Sequence, residues 1–290
     1  MASLKEIKGR INSINGTLKI TSAMKMVASS KLRKAQEAIE NMYPYESKLH
    51  QFLEDLMYSG ASVNPIYTDA RPLKRVAIVV FASNSSLCGG YNMNIIRSLE
   101  GILSAYEASL GKENILVYPV GKKVAEAVRK RGYTPMGDFQ HMSGKPNYQE
   151  AANLAVELTH KFTRNEVQKV ELIYNHFKST STQVLTHENY LPLELPVQAE
   201  GQSVTHHDEF ILEPSSDVLV TSLLPKVIKM KIFTVLLDAV AAEHAARTMA
   251  MQIATDNAND LIQDLTLMYN KSRQQAITNE LLDIVGGTMS

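Results

Sequence analysis

Leu237-Asp-Ala-Val-Ala-Ala-Glu-His-Ala-Ala-Arg-Thr-Met-Ala-Met-Gln-Ile-Ala-Thr-Asp-Asn-Ala258 is the most regular segment of the chain, and it predicts a helix that pairs with another helix. Its apolar and small residues recur at alternating steps of four and three, which is the spacing of a coiled coil. The eight alanines in this stretch favour a helix and let a second helix approach closely. The predicted seam is Leu237, Ala241, His244, Thr248, Met251, Thr255, Ala258, Ile262, Leu265 and Tyr269.

The partner helix is predicted at the other end of the chain. The same stepping gives a seam at Ile7, Ile11, Ile14, Leu18, Thr21, Lys25, Ala28, Leu32, Ala35, Ile39, Met42, Glu46, Leu49, Leu53 and Leu56. Residues 1–40 carry eight Lys or Arg against three Asp or Glu, a charge of +5. Residues 238–290 carry three against seven, a charge of −4. Opposite charges favour pairing of the two segments, although exposed pairs are individually weak.

The two helices are predicted to span residues 1–58 and 214–290 and to form a long antiparallel coiled coil. At 1.5 Å per residue the first would be ~80 Å long and the second ~105 Å. Pro44 predicts a kink or a local break in the first helix. Pro225 marks either the true start of the second helix or a bend in it, and residues 214–217 supply capping side chains.

Between the helices the sequence alternates strands and helices. Val76–Phe81 is a short apolar run, typical of a strand buried on both faces. Further strands are predicted at 115–120, 169–177 and 183–193, and helices at 94–109, 122–131 and 148–162. This order predicts a Rossmann-like α/β domain at residues 75–195. Residues 59–74 are predicted to be a linker, and residues 196–213 a surface connection.

The composition excludes several classes of protein. Lys plus Arg and Asp plus Glu are both 30, so no net charge attracts nucleic acid or an anionic membrane. The single cysteine, Cys88, excludes an internal disulfide and a cysteine metal cage. No apolar run approaches the ~18 residues of a membrane span, and the amino terminus lacks an apolar signal core. We therefore expect an intracellular chain, soluble or peripheral to a membrane.

The turn Ser83-Asn-Ser-Ser-Leu-Cys-Gly-Gly90 stands between a strand and a helix, where α/β folds often bind phosphates. It matches neither phosphate-binding glycine motif, so a structural turn built from Leu87, Cys88, Gly89 and Gly90 is favoured over a nucleotide site. Cys88 at a helix start has the position of an activated nucleophile. No His–acid pair can be assigned to it, so a buried or positioned thiol is favoured.

The other candidate sites are weaker. His206-His-Asp-Glu209 is a dense cluster of possible metal ligands, but adjacent side chains do not easily face one ion, so a solvated loop is favoured. His244 lies in the seam and is more typical of packing than of catalysis. The basic face of the first helix has no aromatic residue before Tyr43, which disfavours nucleic-acid binding. We predict no catalytic residue, cofactor site or metal site.

Three sets of motifs resemble a known family. They are Lys19-Ile-Thr-Ser-Ala-Met-Lys-Met-Val-Ala-Ser-Ser-Lys-Leu-Arg-Lys-Ala-Gln36, the Leu87–Gly90 turn with Tyr91-Asn92, and a series from Glu243-His-Ala-Ala-Arg247 to Ile277-Thr-Asn-Glu280. Together they closely resemble the gamma subunit of F-type ATP synthase, over essentially the whole chain. The resemblance departs at Ser83-Asn-Ser-Ser86, where the family usually has Ser-Asp-Arg-Gly.

The resemblance implies a function. In the family the terminal helices stand inside a hexamer of three alpha and three beta subunits, and the α/β domain lies below, against the epsilon subunit and the membrane c ring. Proton or sodium flow turns the ring and the shaft, whose uneven faces drive the beta subunits through their conformations. The chain is thus expected to be the central rotor shaft, present in one copy, while ATP is made on the beta subunits.

The resemblance also implies contact residues. Those expected to meet a beta-subunit loop are Met24, Lys25, Arg247, Arg273, Gln274, Thr278 and Glu280. Met24 and Lys25 are expected opposite the turn from Glu243 to Arg247. The alternative is that several of these side chains only join the two helices. A weaker hypothesis assigns contacts with the c ring or epsilon to Tyr43, Tyr45, Glu46, Asp208 and Glu209.

Two readings from other classes stay open. One is a small-molecule enzyme that uses the α/β domain, and the other is a non-rotary coiled-coil adaptor. The absence of a complete active site disfavours the enzyme, and the specific motifs at both ends disfavour the adaptor. The lack of a transit peptide favours a bacterial chain, expected at the cytoplasmic face of the plasma membrane through its membrane-bound partners.

Overall fold

The computed structural model describes residues 3–58, 64–193, 213 and 215–288. Two long helices dominate it: α1, Leu4–Tyr58, with 55 residues, and α6, Ser216–Thr288, with 73. At 1.5 Å per residue they are ~83 and ~110 Å long. The Thr255 hydroxyl donates to Thr21 Oγ1 over 3.0 Å, and Lys25 Nζ lies 2.5 Å from Gln252 Oε1. Residue numbers rise along one helix as they fall along the other, so the two helices are antiparallel, as predicted. The pair is called the rod below.

The predicted seams form the contact between the two helices. All fifteen seam positions of α1 and all ten of α6 are buried or partly buried, including the polar positions Thr21, Lys25 and Glu46. Leu32, Leu53 and Leu56 are almost fully buried in α1, as is Ala241 in α6. Burying one such leucine contributes about 2 kcal/mol relative to leaving it in water. The coiled-coil spacing is therefore confirmed.

The two prolines lie inside helices. The local break predicted at Pro44 is wrong, because α1 continues through Pro44 to Tyr58. The helix α6 begins at Ser216, so Pro225 does not mark its start. Ser215 caps this helix: the Val218 N–H donates to its hydroxyl over 3.5 Å, and the Leu219 N–H donates to its carbonyl over 3.1 Å.

A four-stranded sheet forms the centre of the α/β domain. The strands are β1, Val76–Phe81; β2, Ile115–Val120; β3, Lys169–Phe177; and β4, Gln183–Leu191. The helices are α2, Tyr91–Leu110; α3, Lys122–Lys130; α4, Gln140–Gly144; and α5, Tyr148–Thr163. The spatial order is β2-β1-β3-β4, with β1 parallel to β2 and β3, and β4 antiparallel to β3. This confirms the α/β class.

The sheet lies between two apolar layers. Ala77, Val79 and Phe81 of β1 face α5 and the rod, and the alternate residues Val76, Ile78 and Val80 face α2 and α3. All six residues of β1 are buried, which explains why its sequence is a continuous apolar run. Because α6 belongs to one of these layers, the rod and the domain share a hydrophobic core.

The structure differs from the sequence expectations at the ends of two elements and contains one further short helix. Strand β4 ends at Leu191 instead of residue 193, and α2 begins at Tyr91 instead of residue 94, directly after its N-cap Gly90. The helix α4 was not predicted, because five residues are too few to show a helical period. Among the described helices, none has both the length and the apolar content to cross a bilayer.

Gly121 joins β2 to α3 at a position that only glycine fits. Its φ is +115°, and a Cβ atom there would lie 2.1 Å from the Ala82 carbonyl oxygen at the end of β1. We expect Gly121→Ala to lower the free energy of unfolding by at least ~3 kcal/mol. The matched control is Gly101→Ala in α2, where nothing lies within 4 Å, and a gain of ~1 kcal/mol is expected. Denaturant unfolding of the purified chain measures both, and equal effects would contradict the assignment.

Candidate functional site

The predicted turn after β1 lies against α6. Leu87 and Gly89 both have positive φ, 68° and 60°, and Gly90 is the N-cap of α2. A Cβ atom on Gly89 would lie 3.9 Å from the Cβ of Ala250, so the turn touches the rod directly. Leu87, by contrast, is 60% exposed. The turn therefore presents Gly89 to the rod and Leu87 to solvent.

Polar side chains hold this turn from inside. The Ser83 N–H donates to Asn92 Oδ1 over 3.1 Å, and Asn92 Nδ2 donates to Cys88 Sγ over 3.2 Å. Cys88 is buried, and its further described contacts are the Ser83 hydroxyl and the Ser85 carbonyl. None of these described partners is a histidine or a carboxylate, so the geometry provides no general base for the thiol. Cys88 packs and orders the turn.

Arg247 connects α6 to the same turn. Its guanidinium donates to the Ser85 hydroxyl over 2.9 Å, to the Ser86 carbonyl, and to Glu243 Oε1 over 2.7 Å. The side chains of Arg247 and Glu243 are only 10% and 7% exposed. Burial raises the pKa of Glu243, although its bonds to Arg247 oppose that rise. Within this chain, Arg247 is thus an internal contact between the rod and the α/β domain.

Of the two residues expected opposite the turn from Glu243 to Arg247, Met24 lies beside it and Lys25 bonds elsewhere. Met24 lines a cavity of about 330 Å³ together with Glu243, His244 and Arg247. Lys25 instead reaches Gln252, more than one helical turn further along α6. The structure therefore brings Met24 to the turn from Glu243 to Arg247 and directs Lys25 away from it.

His244 lies half-buried in the seam. Burial lowers the pKa of His244 to about 4, and the nearby positive charges of Lys31 and Arg247 act in the same direction. Its Nδ1 atom is buried and has no hydrogen-bond partner among the described residues. A neutral imidazole is therefore the form that fits the helix interface at neutral pH.

The remaining expected contacts lie at the two ends of the rod. Arg273, Gln274, Thr278 and Glu280 are exposed near the end of α6, where the Thr278 hydroxyl donates to the Gln274 carbonyl over 2.9 Å. Since Thr21 faces Thr255, Leu4 is level with residue 272, and α6 continues past the described start of α1. Tyr43 and Tyr45 are 64% and 50% exposed, and Glu46 is partly buried. Asp208, Glu209 and the rest of the histidine cluster lie outside the described residues.

Sequence reasoning missed the polar residues that join the α/β domain to α6 near the middle of the chain's last helix. Asp238 follows a seam leucine, and it accepts the backbone N–H of Phe177 over 2.7 Å. Tyr91 belongs to a motif of the family resemblance without a predicted contact, and its hydroxyl donates to the Ala239 carbonyl over 2.9 Å. The usable signal was Asp238 itself, a lone carboxylate within an otherwise apolar run. No described group of three or more His, Cys, Asp or Glu residues could hold a metal ion.

Comparisons with known proteins point to one family. A family model described as ATP synthase matches residues 3–290. A protein named ATP synthase gamma chain from Phocaeicola vulgatus is 63% identical over 290 residues, covering 100% of both chains. A protein of the same name from Bacteroides fragilis is 55% identical over 291 residues, again covering 100% of both.

Two solved structures have a similar fold. A chain from the Euglena gracilis mitochondrial ATP synthase (OSCP/F1/c-ring, rotational state 3) matches with a TM-score of 0.63 and 18% identity, covering 99% of this chain and 93% of that one. A chain from the central stalk/c-ring structure of the Tetrahymena thermophila mitochondrial ATP synthase matches with a TM-score of 0.56 and 21% identity. It covers 81% of this chain and 99% of that one. At these identities the likeness concerns the fold.

The Arg247–Glu243 pair generates a prediction about stability. Arg247→Met leaves Glu243 buried without its partner, so we expect a loss of about 3 kcal/mol in the free energy of unfolding. The double variant Glu243→Gln with Arg247→Met should lose less than Arg247→Met alone, because no unpaired charge stays buried. Denaturant unfolding of the wild type, Arg247→Met, Glu243→Gln and the double variant measures the cycle. Additive losses would show that the two side chains act independently.

His244 generates a prediction about pH. Its pKa is lower in the folded chain, about 4, than in the unfolded chain, about 6.5, so between these values the unfolded chain binds more protons. Its contribution to stability is present above pH 6.5 and is lost as the pH falls toward 4. His244→Gln should flatten this slope, while the raised pKa of Glu243 acts in both proteins. Thermal unfolding from pH 4 to 7.5 measures the difference, and parallel curves would refute it.

Proposed function

The chain belongs to the ATP synthase gamma-chain family, and from this premise we propose how its rod and α/β domain transmit rotation. The chain is a non-catalytic subunit, the central rotor shaft of F-type ATP synthase. We propose that the rod stands as a single copy inside the alpha3–beta3 hexamer. We also propose that the α/β domain, residues 75–195, meets the epsilon subunit and the c ring. Proton flow through the membrane sector turns the ring, and ATP is made on the beta subunits.

The observation that carries the proposal is a rod of two antiparallel helices that shares its core with a compact α/β domain. A shaft has to resist bending and twisting over its length. Two helices joined by buried seam residues from Ile7 to Leu56 resist both better than one helix alone. The shared core means that a force on the domain reaches the rod through packed atoms, since protein interiors are close-packed and deform little.

The rod has a basic side and an acidic side. Exposed cations on α1 include Lys19, Lys31, Arg33 and Lys34, and exposed carboxylates on α6 include Asp256, Asp260 and Asp264. A beta subunit would therefore meet a different charge at each angle of the rod. A rotor selects among conformations only through such differences in contact energy, because equal contacts at every angle shift nothing. The asymmetry supports the proposal that angle selects the state of each beta subunit.

We propose the exposed set near the end of α6 as the residues that meet a beta-subunit loop. Gln274, Arg273 and Glu280 have free surface there, and α6 extends past the start of α1, so partners can approach from several sides. Met24 and Lys25 are partly buried and combine the contact with helix pairing. Arg247 is buried against the turn after β1, so a contact of its side chain with a beta subunit requires that turn to release it.

We propose the opposite end of the rod for contact with the c ring or epsilon. Tyr43 and Tyr45 expose half or more of their surface on α1, and Glu46 lies beside them. Amphipathic aromatic side chains are frequent in protein interfaces, which supports this assignment. Membership of the complex would hold the chain at the cytoplasmic face of a bacterial plasma membrane.

Reconstitution tests the proposal. The chain is mixed with purified alpha and beta subunits, native mass spectrometry counts its copies, and ATP hydrolysis is measured with and without it. One copy per alpha3–beta3 ring and activity that depends on the chain are expected. A ring that forms without taking up the chain would favour the adaptor, and nucleotide turnover by the chain alone would favour the small-molecule enzyme.

The same assay tests the contact residues. Gln274→Ala removes an exposed polar side chain from the proposed beta contact, and we expect about five-fold slower ATP hydrolysis, equivalent to ~1 kcal/mol. Gln51→Ala is the matched control, because Gln51 is also exposed but lies near the far end of α1. Equal rates for the two variants would remove Gln274 from the contact.

A further inference from the structure

The topology of the sheet marks one place where α/β domains usually bind ligands. From β1 the chain passes to β2 on one side and then returns to β3 on the other. In open α/β sheets, ligands bind outside the carboxyl ends of the strands where this direction reverses. Here that crevice lies beyond the ends of β1 and β3, at Phe81 and Phe177.

The helix α6 occupies this crevice. At the end of β3, Asp238 accepts the Phe177 N–H over 2.7 Å, and its second oxygen lies 2.5 Å from His176 Nδ1. At the start of α2, just after β1, the Tyr91 hydroxyl donates to the Ala239 carbonyl over 2.9 Å. Ala242 of α6 is buried within the layer of α2 and α3 on the far side of the sheet. The helix thus fills the space that a ligand would take.

The contact continues along the same helix. Arg247 holds the Ser85 hydroxyl and the Ser86 carbonyl of the turn after β1. Gly89 in that turn lies against Ala250. Asp238 and Ala250 are twelve residues apart, which is ~18 Å of helix. The end of β3 and the turn after β1 both contact α6 within this length.

We propose that the crevice of the α/β domain is a clamp that fixes the angle between the domain and the rod, with Tyr91, Asp238 and Arg247 as its positioning residues. The proposal rests on the proposed rotor function and adds to it the place where torque passes from the domain to α6. The domain keeps the crevice of a ligand-binding fold, and a helix of its own chain is the occupant.

Hydrogen bonds are the part of this contact that resists rotation. Apolar burial opposes separation but is non-directional, so a helix in an apolar groove turns about its axis at little cost. Hydrogen bonds weaken steeply when their angles change. These bonds join α6 to the start of α2 through Tyr91, to the end of β3 through Asp238, and to the turn after β1 through Arg247, so a rotation of the helix strains all of them. Burial raises the pKa of Tyr91 well above its usual value, which keeps its hydroxyl a donor.

The test measures angular stiffness in the assembled alpha3–beta3 complex. The hexamer is fixed to a surface, and a probe is attached to the domain through Glu113→Cys in a Cys88→Ser background, at the end of the sheet away from α6. The probe's angular variance at rest is inversely related to stiffness. Tyr91→Phe and Asp238→Asn should raise this variance at least two-fold, with the rate of ATP hydrolysis by the complex unchanged within two-fold.

Tyr133→Phe is the matched control. The Tyr133 hydroxyl donates to Glu107 over 2.6 Å, inside the α/β domain, so this variant loses a comparable bond without touching α6. Its angular variance should equal that of the wild type. Equal variance in Tyr91→Phe, Asp238→Asn and Tyr133→Phe would overturn the clamp, whatever happens to ATP hydrolysis. Failure of the wild-type chain to assemble or to support hydrolysis would instead overturn the proposed rotor function.

A covalent link provides a rescue. The 3.9 Å between the Cβ positions of Gly89 and Ala250 suits a disulfide, whose Cβ atoms are usually 3.5–4.5 Å apart. Gly89→Cys with Ala250→Cys is added to Tyr91→Phe, and Cys88→Ser prevents pairing with the native thiol. Oxidation should return the angular variance to the wild-type value and reduction should raise it again. Variance that ignores the disulfide would contradict a clamp at this place.

Discussion

Alanine side chains along α6 allow two sets of neighbours to approach the same helix closely, and both the rod and the α/β domain require this approach. Ala239, Ala241, Ala242 and Ala245 are all almost fully buried, because α6 has α1 on one side and the sheet on another. A larger side chain at any of these positions would push one neighbour away, and overpacking in a close-packed interior costs about 1–3 kcal/mol. The helix α6 can therefore pack in the core of the α/β domain and also pair with α1 in the rod.

The few charged groups inside this contact determine register. Two helices with an apolar seam can slip by one seven-residue repeat and still pair their apolar residues. A buried charge does not allow this slip, because it would lose its partner. Asp238 has its partners at the end of β3, and Arg247 has its partners in the turn after β1. The two charges are thus bonded to two different parts of the domain. Together, these bonds fix the position of the domain along the rod and its angle to the rod.

The parts of the fold that repeat could be predicted from the sequence, and the parts that depend on one tertiary contact could not. The seams from Ile7 to Leu56 and from Leu237 to Tyr269 follow a strict period, and β1 is a run of six apolar residues, so both were predictable. The partners of Tyr91 and Asp238 lie 148 and 61 residues away along the chain, and no local pattern records such pairs.

Arg247 shows how the two sources of prediction differ. The resemblance assigns it to a partner subunit, while the structure gives it three partners within the chain. Two of these are Ser85 and Ser86, at the point where the sequence departs from the usual family turn. The serine hydroxyl and the backbone carbonyl are neutral acceptors, so they accept hydrogen bonds from the guanidinium without compensating its charge. The carboxylate of Glu243 compensates the charge.

From Asp238 to its end, α6 divides into three lengths with different support, and this division explains where its apolar surface lies. Between Asp238 and Ala250, α6 is held by α1 and by the domain, and few of its side chains are exposed. Further along, α1 alone supports it, and exposed Ile253 and Leu261 alternate with the seam. Past the start of α1, Leu281, Leu282 and Ile284 are all exposed on an unpaired helix. An isolated helix of about this length is marginal in water, and exposed apolar surface of this kind is typical of a contact with another protein.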